Sequence, residues 1–465
     1  MRTLIRPSIP IGHVYAKLTP LDQYMARVVL PLMCIFKLDE SGNRASIVRS
    51  LQVGLAHTID EINIIAATVI PEDAGRGTIQ LEYEENAGVI FYENDLPEIQ
   101  FDALAARQFS YSELTVSRFS PEPWGHSSRC PVISVKATFI TGGLILAFNG
   151  HHAVMDAQAL GTFAHTWARN FRAESDGLRV TASQKISPDA SDGSNFFGGH
   201  STRPMSDFQS YWKWSECSYQ ETQRQILEHS VAGDHLQLKS LVALSHWSLS
   251  PEAMNGLKEV AQPPSSDQPI VTEISIVSAL VWRHLTRARQ RAGIEVGSSS
   301  LLSSVNVRRR VDPPLPLEYL GNAIVLARAH TTAADLVSDD EGSLYALAHQ
   351  IVDSIDWWTP DRIWELAGSI DASANVYNLA MPAVGYDVVV TSPSRLGDIL
   401  KEISWGTDLG PLQALRFAFP AFMDGFVNVL PSISGGHDIV MWTNSAVASL
   451  LGEDAEWLRW ASRIL

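Results

Sequence analysis

The apolar positions of this chain follow two periods, and the switches between them mark out its elements. "MARVVLPLMCIFKL", residues 25 to 38, is apolar and rich in β-branched side chains, and predicts a buried strand. "SIVRSLQVGLAHTIDEI" carries its apolar residues at helical spacing and predicts an amphipathic helix. "GTIQLEYEENAGVIFYEND" alternates on both sides of "ENAG", the pattern of a hairpin turning there. "CPVISVKATFITGGLILAFNGHH" predicts a second hairpin, turning at "TGG". The period then changes again. "DAQALGTFAHTWARNFRAES" places Leu160, Phe163, Ala164 and Trp167 on one helix face, with Asp156 at the N-cap.

Periodicity dissolves over residues 178 to 210, where "TASQKISPDASDGSNFFGGHSTRPMS" is rich in Ser, Gly, Asp and Pro. This stretch is the expected linker between a domain of residues 1–177 and a domain of residues 211–465. The second half resumes with a strand and a helix in "LVALSHWSLSPEAMNGLKEVAQ", Ser250 capping and Pro251 at the first helical position. "PIVTEISIVSALVWRHLTRARQRAG" predicts a helix that becomes basic toward its end. Strands are expected at "SLLSSVNVRR", "NAIVLARAHT" and "YDVVVTS", and the C-terminus reads strand, turn, strand, helix. Both halves therefore alternate strands and helices, an α/β pattern. The chain contains no GxGxxG, no GxxxxGK[ST] and no nucleophile elbow.

Composition narrows the classes. With 465 residues, 45% of them hydrophobic and 18% charged, the chain has the balance of a folded protein of two or three domains, or of one fused pair. A formal net charge of −16 argues against nucleic acid as a partner, because phosphate neutralisation needs a surplus of Lys and Arg. A small anionic ligand needs only a local basic patch and stays compatible. Cys34, Cys130 and Cys217 lie far apart, without disulfide or metal spacing, which fits a reducing compartment. No signal-like or membrane-spanning apolar stretch occurs and "SRIL" matches no common address tail, so a cytoplasmic protein without membrane attachment is expected; a monomer is expected as well.

The chemistry-bearing candidate is "NGHHAVMDAQAL", residues 149 to 160. His151 and His152 are adjacent at a strand end, so their side chains point to opposite sides. That placement disfavours a metal site, which needs convergent ligands, and none is expected. Two readings stay open. One imidazole serves as a base, its ordinary pKa suiting proton removal near neutral pH. Alternatively both histidines are ordinary core or loop residues and Asp156 only caps a helix.

The rest of the chain bears on that choice. His152-Ala-Val-Met-Asp156 matches an HxxxD motif, and other segments accompany it in order. "LTPLDQYMARVVLPLMCIFKL" is similar to an L-S-P-L-D opening strand, and "VTEISIVSALVWRHLTRAR" to a helix ending in A-x-x-W and arginines. "VNVRRRVDPPLPLEYLGNAI" resembles D-x-R-x-R…P-P-L-P…Y-x-G-N, and "TDLGPLQALR" resembles a D-F-G segment. Together they resemble the BAHD acyltransferases over nearly the whole chain, particularly the fungal branch that includes trichothecene O-acetyltransferases.

The resemblance implies a fold of two chloramphenicol acetyltransferase-like domains, mixed sheets flanked by helices, around a central solvent channel. Acyl-CoA, acetyl-CoA among them, would be a co-substrate rather than a bound cofactor, and a small molecule the acceptor. The implied activity is O-acylation, in particular acetylation of a fungal secondary metabolite's hydroxyl. His152 would be the general base and Asp156 a structural support paired with Arg308. Thr391, in "VVVTSPS", would donate to the oxyanion, although Pro393 stands where the family carries tryptophan. Asp408 and Gly410 would be structural, their motif reduced to Asp408-Leu409-Gly410, and Ala157 replaces the usual glycine after Asp156. In the basic helix, where Arg283, Arg287, Arg289 and Arg291 cluster, Arg287 is the candidate CoA contact, with Thr272 and Ser278 beside it. The rivals are N-acylation on the same scaffold, a cyclisation or condensation without acyl-CoA, and a non-catalytic scaffold.

Overall fold

The strand Val29–Lys37 is buried over its first eight residues, as its unbroken apolar run requires. It lies inside a six-stranded mixed sheet with the order Arg2–Ile5, Val89–Gln100, Ile133–Thr141, Gly143–His151, Val29–Lys37, Leu412–Phe417. This is a computed structural model, and it describes residues 1–39, 43–122, 129–182, 185–199, 201, 203–208, 242–376, 387–393, 403–417, 424–432 and 435–464. Cys34 and Cys130 are buried free thiols, and Cys217 lies outside the described residues.

A second, seven-stranded mixed sheet runs Ile324–Thr332, Ser298–Asn306, Val388–Thr391, Phe426–Pro431, His437–Asn444, Val242–Leu249, Ser462–Ile464. Val388–Thr391 pairs in parallel with both its neighbours. A four-stranded sheet of Val14–Lys17, Thr78–Tyr83, Thr68–Asp73 and Cys130–Pro131 completes the set. The helices expected from the 3.6-residue period form at Arg44–Glu61, Ala157–Ser175, Pro251–Val260 and Glu273–Arg291, the last three capped by Asp156, Ser250 and Thr272. Among the described residues no helix is long and apolar enough to cross a membrane.

The hairpin at "TGG" forms, with Gly142 at φ 75° supplying a turn conformation that disfavours a side chain. The hairpin expected at "ENAG" does not. Thr78–Tyr83 belongs to the four-stranded sheet, whereas Val89–Gln100 pairs with Arg2–Ile5 and Ile133–Thr141 in the six-stranded one. Alternation on both sides of a turn predicts two half-buried strands, but it does not predict that they pair with each other. The linker stretch is likewise more ordered than its composition implies. It holds short 3₁₀ turns at Pro188–Ser191, Ser194–Phe196 and Met205–Asp207, with Ala190 and Phe196 buried. The Ala190 carbonyl accepts from Leu320 N at 2.8 Å, fastening the stretch to the second half.

The halves also interlock through Leu412–Phe417, which pairs with Val29–Lys37 at the edge of the first half's sheet. Its Arg416 donates to the carbonyls of Gln108 and Phe109 at 2.7 and 2.9 Å, and lies 3.5 Å from Asp438 in the seven-stranded sheet. One apolar core joins both halves. It includes Leu146, Phe148, Val154, Met155 and Leu160 from the first and Leu302, Val389, Phe426, Val440 and Trp442 from the second.

The Ala157–Ser175 helix packs on Arg44–Glu61 at unusually close range around Gly54. A Cβ there would lie 2.7 Å from the backbone N of Phe171. Gly54→Ala is therefore expected to destabilise the fold, reversing the gain of about 1 kcal/mol that helix propensity alone gives. Denaturant titration of the variant against the parent checks the sign.

Candidate active site

His151 closes the strand Gly143–His151 and is buried, while His152, one residue on, is only partly buried. The alternation expected at a strand end thus separates the two rings. The backbone at His152 is held on both sides: its N–H donates to Val28 O at 2.8 Å, and its carbonyl accepts from Asn322 Nδ2 at 2.8 Å. Ring Nδ1 is enclosed and lacks a partner at hydrogen-bonding geometry among the described residues. Desolvation pushes the His152 pKa below the ordinary 6.5. The residue's own backbone carbonyl, the Asp156 carboxylate, the Met155 carbonyl and the Asn322 side chain oppose that shift without cancelling it. The ring is consequently neutral at neutral pH.

Asp156 is fully buried and accepts four hydrogen bonds. Oδ1 takes Ala159 N at 2.9 Å, the N-cap bond of the helix, and Arg308 Nη2 at 2.9 Å. Oδ2 takes Arg308 Nη1 at 2.7 Å and Ala323 N at 3.1 Å. The pair is bidentate, with both side chains 1% exposed, and joins residues 152 positions apart. Arg308 donates further to the carbonyls of Tyr319 and Gly321 at 2.8 and 3.2 Å, so its charge is well solvated by protein.

Two residues in this cluster escaped the sequence reading. Asn322 donates from both N and Nδ2 to Asp22 Oδ1, at 2.9 and 3.0 Å, while Nδ2 also holds the His152 carbonyl. Asp22 also accepts from Thr19 N at 2.9 Å and from Thr19 Oγ1 at 2.7 Å, closing a capping box. Burial nonetheless pushes the Asp22 carboxyl up to about 6. The signal for both lay in the "LTPLD" and "YLGNA" segments, which carried the resemblance without any role assigned to Asp22 or Asn322.

Thr391 ends the strand Val388–Thr391. Val388 and Val390 face the outer helices, and Val389 faces the core shared by both halves. By alternation Thr391 shares the face of Val389, on the same side as Val154 and Met155 of the His152 loop. Its hydroxyl donates to Asn428 Oδ1.

The remaining candidates stand elsewhere. Asp408 accepts from Ser175 Oγ at 2.7 Å, at the far end of the Ala157–Ser175 helix, about 28 Å along its axis from Asp156. Gly410 has φ 65° and ψ −163°, a conformation reserved for glycine, and Trp405 beside this segment packs edge-on against Phe36 and Trp167. Arg287 and Ser278 lie in Glu273–Arg291 and Thr272 at its N-cap, and this helix covers the opposite face of the seven-stranded sheet. Arg287 is paired with Glu456 and Asp339. Thr272 caps its helix through Ser275 N, and Ser278 donates to Ile274 O at 2.6 Å. The structure therefore gathers His152, Asp156 and Arg308, sets Thr391 on the same interior face, and keeps the other five apart. Among the described residues no three His, Cys, Asp or Glu side chains gather as metal ligands would.

This fold and this histidine loop, clamped from the other half of the chain, define an acyltransferase of the BAHD class. The chain belongs to the Transferase family, whose profile matches residues 1–450. It is 26% identical over 442 residues to Acyltransferase easC of Emericella nidulans, covering 89% of this chain and 88% of that one. It is also 26% identical over 499 aligned positions to Acyltransferase cm3D of Cordyceps militaris, covering 99% of each. Its fold is similar to that of F. graminearum TRI101, solved with coenzyme A and T-2 mycotoxin. The TM-score is 0.79 at 17% identity, over 97% of this chain and all of that one.

Truncating one partner of the Asp156–Arg308 pair strands the other charge in a buried site, at a cost of about 3–5 kcal/mol. Arg308→Ala and Asp156→Ala should each lower the unfolding free energy by that amount. The double variant should lose less than the sum, a coupling that denaturant titration of all four proteins measures.

Proposed function

We propose that the protein transfers an acyl group from acyl-CoA directly to a hydroxyl of a small secondary metabolite, an acetyl group in particular, with His152 as general base. The observation that carries the reading is His152 itself: a partly exposed residue whose ring is held neutral and whose backbone is clamped from the other half of the chain. The likeness to a protein solved with coenzyme A and a mycotoxin supports the substrate classes.

In this mechanism the enclosed Nδ1 carries the ring's proton, which the His152 and Met155 carbonyls favour, and the His152 carbonyl is itself held by Asn322 Nδ2. Nε2 then presents its lone pair to the acceptor. As the hydroxyl oxygen attacks the thioester carbon, its proton passes to Nε2, a C–O bond forms and the carbonyl electron pair moves onto oxygen. Collapse breaks the C–S bond, and the leaving thiolate takes the proton back from the imidazolium. No acyl-enzyme is formed. Asp156 holds the loop and exchanges no proton, because all its accepted bonds come from Arg308 and backbone N–H groups. Thr391, on the same interior face, donates to the oxyanion. The chain spans 88–99% of the two curated relatives' lengths.

The test is thiol release from acetyl-CoA in the presence of a panel of hydroxylated small molecules, with His152→Ala beside the parent. Turnover should fall by about 10²–10⁴-fold with the protein still folded, as its melting curve checks. A His152→Ala variant with near-parent turnover would overturn the assignment. Because a base acts only when deprotonated, kcat/KM of the parent should rise with pH, and the half-point of that limb should lie below 6.5.

A further inference from the structure

Asn428 sits beside Thr391 in the parallel pairing of Val388–Thr391 with Phe426–Pro431. Val427 and Val429 face the outer helices, whereas Phe426 and Leu430 enter the core shared by both halves. Asn428 therefore projects toward the same interior face as Thr391, 2% exposed. Its Oδ1 accepts the Thr391 hydroxyl proton. Its Nδ2 is enclosed and has no partner among the described residues.

That arrangement is costly and chemically inert. A buried amide N–H₂ without an acceptor forgoes about 1–3 kcal/mol. Meanwhile the Thr391 proton, spent on Asn428, cannot reach an oxyanion. A half-turn of the carboxamide exchanges its two ends with little change of shape. Nδ2 then donates to Thr391 Oγ1, and the Thr391 hydroxyl proton is released. Asn428 Oδ1 becomes the unpaired atom instead, and an under-satisfied carbonyl oxygen is better tolerated than an orphaned N–H. The turned state gains one more hydrogen bond as soon as a carbonyl oxygen lies before Thr391.

We propose that Asn428 is a positioning residue that aims the Thr391 hydroxyl proton at the thioester oxygen, its carboxamide turning so that Nδ2 donates to Thr391 Oγ1. The inference rests on the oxyanion role proposed for Thr391. A thioester carbonyl arriving at Thr391 selects the turned amide, and the bond to that oxygen strengthens as negative charge develops there.

The experiment measures kcat and KM for acetyl-CoA, by thiol release with the best acceptor of the panel. The proteins are the parent, Thr391→Ala, Asn428→Asp, Asn428→Ala and the Thr391→Ala/Asn428→Asp double variant. Losing one oxyanion donor costs about 10²-fold or more in kcat, the fall expected for Thr391→Ala. Asn428→Asp keeps the shape and, assayed at a pH where it is the carboxylate, only accepts, so it captures the Thr391 proton. It should lose kcat by about the same factor with KM changed less than about twofold, and the double variant should be no slower than Thr391→Ala. Asn428→Ala, which neither captures nor aims the proton, should fall between the parent and Asn428→Asp. It also reports on the role should a buried Asp prevent folding. Parent-like kcat in Asn428→Asp, or in Asn428→Ala if only that variant folds, would overturn the positioning role while Thr391→Ala is impaired. Losses that multiply in the double variant would overturn it as well. Parent-like kcat in Thr391→Ala, or no thiol release by the parent, would instead overturn the reading beneath it.

Discussion

The Asp156–Arg308 pair is the interaction on which the rest of the site depends. Two opposite charges, each 1% exposed, meet in bidentate geometry across 152 residues of sequence. Desolvating them is expensive, and the two direct bonds are supplemented by further donors and acceptors around the pair. Ala159 N, Ala323 N and the carbonyls of Tyr319 and Gly321 complete the shell. The pair is better understood as a register device than as a source of stability. It aligns the start of one helix with the segment leading into the strand Ile324–Thr332 from the other half. Asn322, one residue before Ala323, thereby comes within reach of both Asp22 and the His152 carbonyl.

The seven-stranded sheet divides its labour by face. Side chains of one parity pack beneath Glu273–Arg291 and its neighbouring helices, among them Val388, Val390, Val427 and Val429. The other parity turns toward the first half, and there the apolar row of Val389, Phe426, Leu430 and Val440 is interrupted by the polar pair Thr391 and Asn428. A hydroxyl and a carboxamide on a face otherwise built of Val389, Phe426, Leu430 and Val440 act in a low-dielectric setting where each hydrogen bond counts for more. The basic end of Glu273–Arg291 has the opposite character. Arg287 is balanced by Glu456 and Asp339, and Arg289 lies 3.4 Å from Asp424 in the interior, so neither is an isolated cation.

Much of the frame was legible because burial imposes periodicity. The run Val29–Lys37, the hairpin ending at His151 and the helix beginning after Asp156 each announce themselves through apolar spacing and a turn or cap residue. Pairing partners were not legible, since "ENAG" joins strands of two different sheets and nothing in the local alternation encodes that. The partnership of Asp156 with Arg308 came from the resemblance and could not have come from spacing. Asn322 was invisible as a clamp because its importance lies in a bond to a backbone carbonyl 170 residues away. Asn428, midway along an apolar strand, carries no motif at all, and its polarity matters only through the hydroxyl that pairing brings beside it.

The strand Leu412–Phe417 has a consequence for how the molecule is made. It covers one edge of Val29–Lys37, and every residue it touches there is synthesised hundreds of residues earlier. Until residues 412–417 leave the ribosome, that apolar strand therefore presents an open row of backbone donors and acceptors. Such an edge can pair with any passing extended segment. That edge is closed against edge-to-edge association only once Leu412–Phe417 has been made and has paired with it.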